Sequence, residues 1–494
     1  MMRYTFWHGQ CRRSADLPWL NQAEASLLKG EWTSPLYIDG ASWTSSTIRD
    51  DELRHEAALR LLDALGSPQA SAETLIFQNA TLSSAMDDAL AQALQRNQRL
   101  TSITLRNLKT QPPVQAVNQH QQHQQAPVHE PYTLPASVFL QQEQLETLHL
   151  SKLVLNEASC LNLRRLISDS TKLHTLVLDA VHITSTHGLT GILAALILSK
   201  SLKTLKLINL TWRKRDISRL LLALTYNRFL TTVHLEGLSL NEAYAAELAR
   251  LIRRNRSLTQ LSLRRNQLTS SALEIIVRQG FLFDGLENQQ QNHNTTLQRL
   301  FLSRNPLGSV DALLEYLTKG TIMTLQEVCL VDTKLTRSAC RQVARAIRYM
   351  TLTHLGLDGN YMEYEGSLVR ASLQHNTHLI KLLDRLPRFV SNSSTWKAIQ
   401  ILLAANQDHR RQRFFAMTAH CSECLPTLLQ KEADPQVLYT LVQSAVPHMP
   451  TKESSGFVYQ GPPRTFVPST RPPLRWGHHH HGNSMPRPTC PPSA

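Results

Sequence analysis

The chain has 494 residues, 42% hydrophobic and 18% charged, with 52 Lys and Arg against 38 Asp and Glu and a formal net charge of +14. That composition suits a folded protein, and the length allows several domains or one long solenoid. A basic balance argues against basic partners and favours acidic protein, nucleic acid or anionic lipid. The seven cysteines are odd in number and mostly scattered, which argues against a disulfide framework and for a reducing compartment.

The N-terminal MMRYTFWHGQCRRSADLPWL lacks the apolar core of a secretory signal. The most apolar stretch, GLTGILAALIL (188–198), is too short to span a bilayer. The expectation is a cytoplasmic protein with no transmembrane segment, with signal-less export left open. Residues 1–70 show no repeat unit. Within them DDELRHEAALRLLDALG (50–66) predicts an amphipathic helix with acids in its first turn, placed to cap an N-terminal end.

From 71 to 385 an LxxLxL pattern recurs. Its middle position falls at Leu75, Ile103, Leu148, Leu176, Leu205, Val233, Leu261, Leu300, Val328, Leu355 and, in degraded form, Leu382. The spacing is 27–29 residues apart from two longer gaps of 45 and 39. Within a unit two periods meet. Leu261 and Leu263, two apart, share one face of a strand. Ala272, Leu273, Ile275, Ile276 and Val277 then follow a helical pattern, with Ser270 or Ser271 as the expected N-cap. One such unit cannot bury its own apolar face, so stacking on neighbours is implied. The two long gaps hold polar insertions, 111–134 and 285–296, rich in Gln, Asn, His and Pro and expected to be disordered surface loops.

After 385 the period stops. Helices are expected over STWKAIQILLAA (394–405) and DPQVLYTLVQSAV (434–446), the latter with Asp434 as N-cap, so that 386–446 forms a C-terminal cap or small domain. Residues 447–494 read as a disordered basic tail rich in Pro and His.

The strand–turn–helix units resemble the leucine-rich-repeat family, in its ribonuclease-inhibitor-like class. The resemblance implies an α/β fold, a leucine-rich-repeat solenoid (horseshoe) with an inner parallel sheet and outer helices, followed by the C-terminal helical segment. It also implies a protein partner on the concave face. The family's turn asparagine is matched by Asn266, Asn305 and Asn360, but Leu108, Leu153, Val181, Leu210, Leu238 and Thr333 stand there in other units. The turn geometry of the earlier units is therefore left open. The ribonuclease partner itself does not carry over, because a chain of +14 would repel basic ribonucleases.

No Gly-rich phosphate loop, GxSxG elbow or HExxH helix occurs. His420, Cys421 and Cys424 form HCSEC, but a structural zinc site needs a second ligand pair, and none is evident. The expectation is a non-enzymatic interaction scaffold with no cofactor and no metal. Alternation along the strands turns the residues beside the buried leucines towards the inner face. Of these, His149, Lys206, His234, Arg264, Arg299 and Phe301 are the candidate partner-binding residues, since Arg and aromatic side chains dominate binding energy at interfaces. Charge on that face is balanced, with Arg106, Lys206, Arg264 and Arg299 against Asp179, Glu236, Glu327 and Asp358. The positive excess lies in runs such as WRKRD (212–216), RLIRRNR (250–256) and HRRQRFF (409–415). These support one alternative, a nucleic-acid or anionic-surface binder acting through basic helices and tail, less favoured because aromatic interleaving is absent. A further alternative is an exported bacterial effector that mimics host repeat proteins.

Overall fold

The structure is a computed structural model and describes residues 18–32, 35–39, 48–110, 130–135, 143–282, 296–319, 324–382 and 393–407. The chain divides into two compact units, Met1–Met449 and Pro450–Ala494, and every described residue belongs to the first. The expected helix at 434–446, the HCSEC segment, the bulk of both polar insertions and the tail lie outside the described residues.

In chain order the elements begin α1 (Pro18–Leu28), β1 (Leu36–Asp39), α2 (Ile48–Leu65), β2 (Thr74–Gln78), β3 (Thr81–Leu82), α3 (Ser84–Arg96), β4 (Ser102–Arg106), β5 (Lys109–Thr110) and β6 (Glu130–Pro131). They continue with β7 (Thr147–Ser151), β8 (Val154–Leu155), α4 (Glu157–Asp169), β9 (Thr175–Asp179), β10 (His182–Ile183), α5 (Thr186–Leu198), β11 (Thr204–Ile208) and α6 (Lys214–Tyr226). The remainder are β12 (Thr232–Glu236), α7 (Ala245–Arg254), β13 (Gln260–Ser262), α8 (Ser270–Gly280), β14 (Arg299–Phe301), α9 (Asp311–Lys319), β15 (Glu327–Cys329), α10 (Arg337–Ala346), β16 (His354–Gly356), α11 (Gly366–Leu373) and α12 (Ser394–Gln407).

Eleven strands form one parallel sheet in the order β1-β2-β4-β7-β9-β11-β12-β13-β14-β15-β16, so each strand lies beside its predecessor in the repeat. The register pairs the repeat leucines across the sheet: Ile103 with Leu148, Leu148 with Leu176, Leu205 with Val233, Val233 with Leu261 and Leu261 with Leu300. These side chains are fully buried or nearly so, and they join the leucines of the helices in one continuous core. Parallel strands need a crossover connection, and each helix supplies one. The chain is a leucine-rich-repeat solenoid of the strand–turn–helix kind.

The sheet starts earlier than periodicity located it. Leu36 and Ile38 of β1 are buried and pair in register with Leu75 and Phe77. The helix expected at 50–66 is α2, which packs between α1 and α3 in the helix row. At the other end Lys381 bridges His354, which brings Leu382 into register after Leu355. Helix α12 then packs on α11 and buries Trp396, Ile399 and Leu402.

The turns left open by the missing asparagines are regular. Asn79, Asn107, Lys152, Ala180, Asn209, Gly237, Arg265, Arg304, Asp332 and Gly359, one per unit, all have positive φ between 50° and 72°. From Asn79 to Asp332 the amide of the corner donates to a carbonyl at or just past the end of the next strand, as from Lys152 to Asp179, from Asn209 to Glu236 and from Arg265 to Ser303. The stacking of one corner on the next thus holds even Ala180, which has no intrinsic taste for this conformation. At Gly237 and Gly359 a Cβ would also stand 2.5 Å and 1.8 Å from the side-chain oxygens of Asn209 and Asp332, so those side chains would have to move aside.

Beyond the corner the units differ. In the later ones Asn266 accepts from the amides of Leu238 and Leu240 and donates to the carbonyls of Leu235 and Leu263. Asn305 and Asn360 repeat the pattern, and Thr333 performs half of it through its hydroxyl to Leu330. In the early units leucine fills the position, and short strand pairs take up the backbone instead: β3 with β5, and β8 with β10. The end of the first insertion joins this edge, with β6 antiparallel to β5 and Tyr132 buried, its hydroxyl bonded to Asp87.

A second series of asparagines lines the opposite turns. Asn97, Asn227, Asn255, Asn376 and Asn406 donate to carbonyls of the unit before, as Asn227 does to Leu196 and Asn255 to Leu224. Helix α8 begins one residue earlier than expected. Thr269, extended at φ −97°, ψ 176°, is its N-cap and accepts from Ala272 N, while Ser270 and Ser271 already lie inside the helix.

Candidate functional site

Burial alternates along most strands, as on β4, β7, β11 and β12, with the leucines turned to the helices and the intervening residues to the opposite face of the sheet, which no helix among the described residues covers. Three rows of side chains result. The first contains Thr147, Thr175, Thr204, Thr232, Gln260, Arg299 and Glu327. The second contains His149, Val177, Lys206, His234, Ser262, Phe301 and Cys329. The third holds Arg106, Ser151, Asp179, Ile208 and Glu236, with Arg264 in the following unit.

The candidate residues fall into two groups. His149 and Lys206 lie on either side of Val177, near Asp179 and Arg106. Burial pushes the His149 pKa down, and the charges of Arg106 and Lys206 push the same way against Asp179, so its ring is neutral at neutral pH. Asp179 accepts from Ser151 Oγ at 3.2 Å and Asn209 Nδ2 at 3.1 Å.

The second group is a connected cluster on β12 to β15. His234 Nδ1 lies 2.9 Å from Glu236 Oε1, and its Nε2 lies 3.2 Å from the side-chain amide nitrogen of Gln260. Both contacts are satisfied when Nδ1 carries the hydrogen and donates to Glu236 while Nε2 accepts from Gln260. Ser262 Oγ donates to the same Glu236 oxygen at 2.7 Å. Burial alone would raise the Glu236 pKa. The bonds from His234 and Ser262, with the Arg264 charge nearby, outweigh it and hold the carboxyl below its usual range. With side chains only 17% and 14% exposed, His234 and Glu236 form a fixed base rather than a mobile surface pair.

Beside this base the Arg264 guanidinium lies over the Phe301 ring, 4.9 Å from its centre, and Nη2 reaches Cys329 Sγ at 3.7 Å. Ser303 Oγ, itself buried, lies 3.1 Å from the same sulfur. Arg264 Nε is buried with no hydrogen-bond partner among the described residues. Arg299 stands exposed two residues before Phe301 on the same strand face. The structure thus brings His234, Arg264, Phe301 and Arg299 together, with Lys206 beside His234 on the adjacent strand and His149 two strands beyond Lys206. Gln260, Glu236, Ser262, Ser303 and Cys329 are the supporting members that sequence reasoning placed on the face without assigning a task. Their signal lay in the repeat itself, because residues 26–28 apart at inward positions are neighbours.

The arrangement offers an aromatic plate, a stacked guanidinium and an exposed arginine on a rigid sheet. Those groups can grip a planar or acidic element of another molecule. Catalytic convergence is another matter: Ser262 donates to the carboxylate rather than to His234, so its oxygen is not activated by that ring.

No family model matches the chain, and no curated protein matches it. Similar solved structures include the tropomodulin C-terminal domain of Caenorhabditis elegans, at 13% identity over 46% of this chain and 98% of that one, with a TM-score of 0.24. An internalin of Listeria monocytogenes aligns at 13% identity over 75% and 89%, with a TM-score of 0.34. Actin-binding site 2 of leiomodin-1 aligns at 17% identity over 46% and 94%, with a TM-score of 0.22. Superpositions this loose bear on neither partner nor chemistry, and the repeat fold stands on the register and burial above.

Proposed function

We propose that the protein is a non-enzymatic scaffold that binds a protein partner on the uncovered face of its sheet, with the Arg264–Phe301 stack as the anchor. The observation that carries the reading is that stack: a half-buried arginine, its Nε shielded, lying on an aromatic ring beside a hydrogen-bonded base. Arg and aromatic side chains in well-packed, partly desolvated settings are the residues whose truncation costs interfaces most. The cluster is held before any partner arrives, so little ordering cost remains to be met on association. Charge on the face is balanced, which favours a partner read by local pattern, an acidic or planar group meeting Arg264 and Arg299 with polar contacts around it. Lys206, His149 and His234 extend the contact along the second row.

The test is affinity capture with the full chain. A defined protein retained by the wild type and lost with Arg264→Glu/Phe301→Ala supports the reading. Retention of the same proteins by both forms would remove it.

A further inference from the structure

The outer side of the solenoid carries a feature that the sheet-face reading does not use. Helix α5, THGLTGILAALIL, contains no Asp, Glu, Lys or Arg, and its solvent side runs from Thr186, His187 and Thr190 to an apolar C-terminal end at Ala194, Ile197 and Leu198. A surface helix ordinarily turns charge outward. Aligning the C-caps Ser170, Ser199, Asn227 and Asn255 sets equivalent positions of α4, α5, α6 and α7 side by side. Leu198 then neighbours Tyr226, and Ala194 neighbours Leu222. Leu198 is 67% exposed and Tyr226 53%, with Leu222, Ile197 and Phe229 also open to solvent.

Cations frame this patch. On α7, Arg250 and Arg254 occupy the positions beside Leu222 and Tyr226, and on α4 Arg165 stands beside Ala194, while the one acid at this edge, Asp169, stands beside Leu198. At the first position after the C-caps of α5, α6 and α7 come Lys200, Arg228 and Arg256, and Lys203 lies over the Phe229 ring at 5.5 Å. The turns 199–203, 226–231 and 253–259 contain no acidic residue. Cations near a helix C-terminus suit the helix dipole. That accounts for the charge and not for the exposed leucines and tyrosine among it.

We propose that the outer face of α5 and α6 docks on an anionic lipid leaflet, the apolar side chains entering the headgroup boundary and the surrounding Lys and Arg meeting the acidic headgroups. Interfacial binding of this kind combines buried apolar area with electrostatic attraction and needs no spanning segment. Among the described residues no helix is long and apolar enough to cross a membrane. Aliphatic anchors gain nothing from nucleic acid, whose bases stack on aromatic faces. Side chains that project from a helix row, rather than line a groove, suit a deformable surface better than a folded acidic partner.

The experiment is flotation of the full chain with vesicles of phosphatidylcholine alone or containing about 30 mol% phosphatidylserine. The expected result is selective binding to the anionic vesicles that weakens with added salt. Leu198→Asp/Tyr226→Asp and, separately, Lys200→Glu/Arg228→Glu should each reduce it about tenfold or more. Arg264→Glu, on the opposite face, should leave it unchanged, so the two proposals fail independently. Leu198→Ser/Tyr226→Ser provides a milder pair, and unchanged thermal unfolding confirms that each variant is folded. Equal binding to both vesicle types, no binding, or binding indifferent to both patch variants would overturn the proposal. So would patch-dependent capture of an acidic protein, or of nucleic acid, by a chain that ignores vesicles.

Discussion

Arg264, in the turn after β13, holds its guanidinium 4.9 Å from the ring centre of Phe301 on the adjacent β14, while Arg264 Nε is shielded and unbonded among the described residues. A pair stacked this way should be energetically coupled even without a partner. A double-mutant cycle of Arg264→Ala and Phe301→Ala in chemical denaturation should show a coupling of about 0.5–2 kcal/mol. Additive effects would show that the stack does not hold together in solution.

The register of the core makes a second prediction. Leu261 is fully buried, with Val233 on one side and Leu300 on the other, whereas Thr232 faces outward on the uncovered side. Leu261→Ala should cost about 2–5 kcal/mol. Thr232→Ala should cost under about 0.5 kcal/mol. Equal, small losses would place Leu261 outside the core.

The corners make a third. Ala180 is held at φ 50°, a conformation that penalises a Cβ. Ala180→Gly should therefore be neutral or stabilising by up to about 1 kcal/mol, although glycine substitutions usually destabilise. Asn305→Ala should do the reverse, costing about 1–3 kcal/mol, because it removes the side-chain partner of the buried Leu268 amide and of the Leu302 carbonyl, while the Leu263 carbonyl keeps its bond from Asn266. Thermal melts of the two variants moving in the same direction would contradict the turn geometry.

Titration makes a fourth. Burial lowers the folded-state pKa of His149, so the neutral ring contributes stability above its ordinary pKa, lost as pH falls through the folded value. In NMR its ring should titrate below the ordinary histidine range, and His149→Gln should flatten stability between neutral pH and that midpoint. The Glu236 carboxyl is also held low, because the bonds from His234 and Ser262 outweigh burial. Its contribution is present above the ordinary glutamate pKa and fades as pH falls through the folded value. Glu236→Gln should remove that acid-side slope. A His149 midpoint above the ordinary value, or an unchanged acid limb in Glu236→Gln, would contradict the cluster as described.

Legibility in the sequence followed range. Leu148, Leu176 and Leu205 could be read because one side-chain type recurs at one interval, and stacking at that interval is what buries them. The strand Leu36–Asp39 escaped because LYID carries no LxxLxL signature and stands 39 residues before its partner Leu75. The corner at Lys152, Ala180 and Arg265 escaped because their conformation is imposed by the neighbouring coil, not preferred by the residue. On the face, alternation was enough to put His234, Arg264 and Phe301 in solvent reach. The chain of bonds from Gln260 through His234 to Glu236 and Ser262 was not readable, since it depends on side-chain directions across strands. The apolar run GLTGILAALIL is plain in the sequence and too short for a membrane span, whereas the cations beside it come from α4, α7 and the turns after α5 and α6, which only the stacking of units brings together.

The most direct test of the sheet face as a protein-binding surface is site-specific photo-crosslinking in cells. A photoreactive residue in place of Arg299, which is exposed beside the Arg264–Phe301 stack, should yield a discrete protein adduct. The same adduct should vanish when Arg264→Glu is added, and should not form from a photoreactive residue in place of Leu222 on the helical side. No adduct from position 299, or one that persists with Arg264→Glu, would contradict the account.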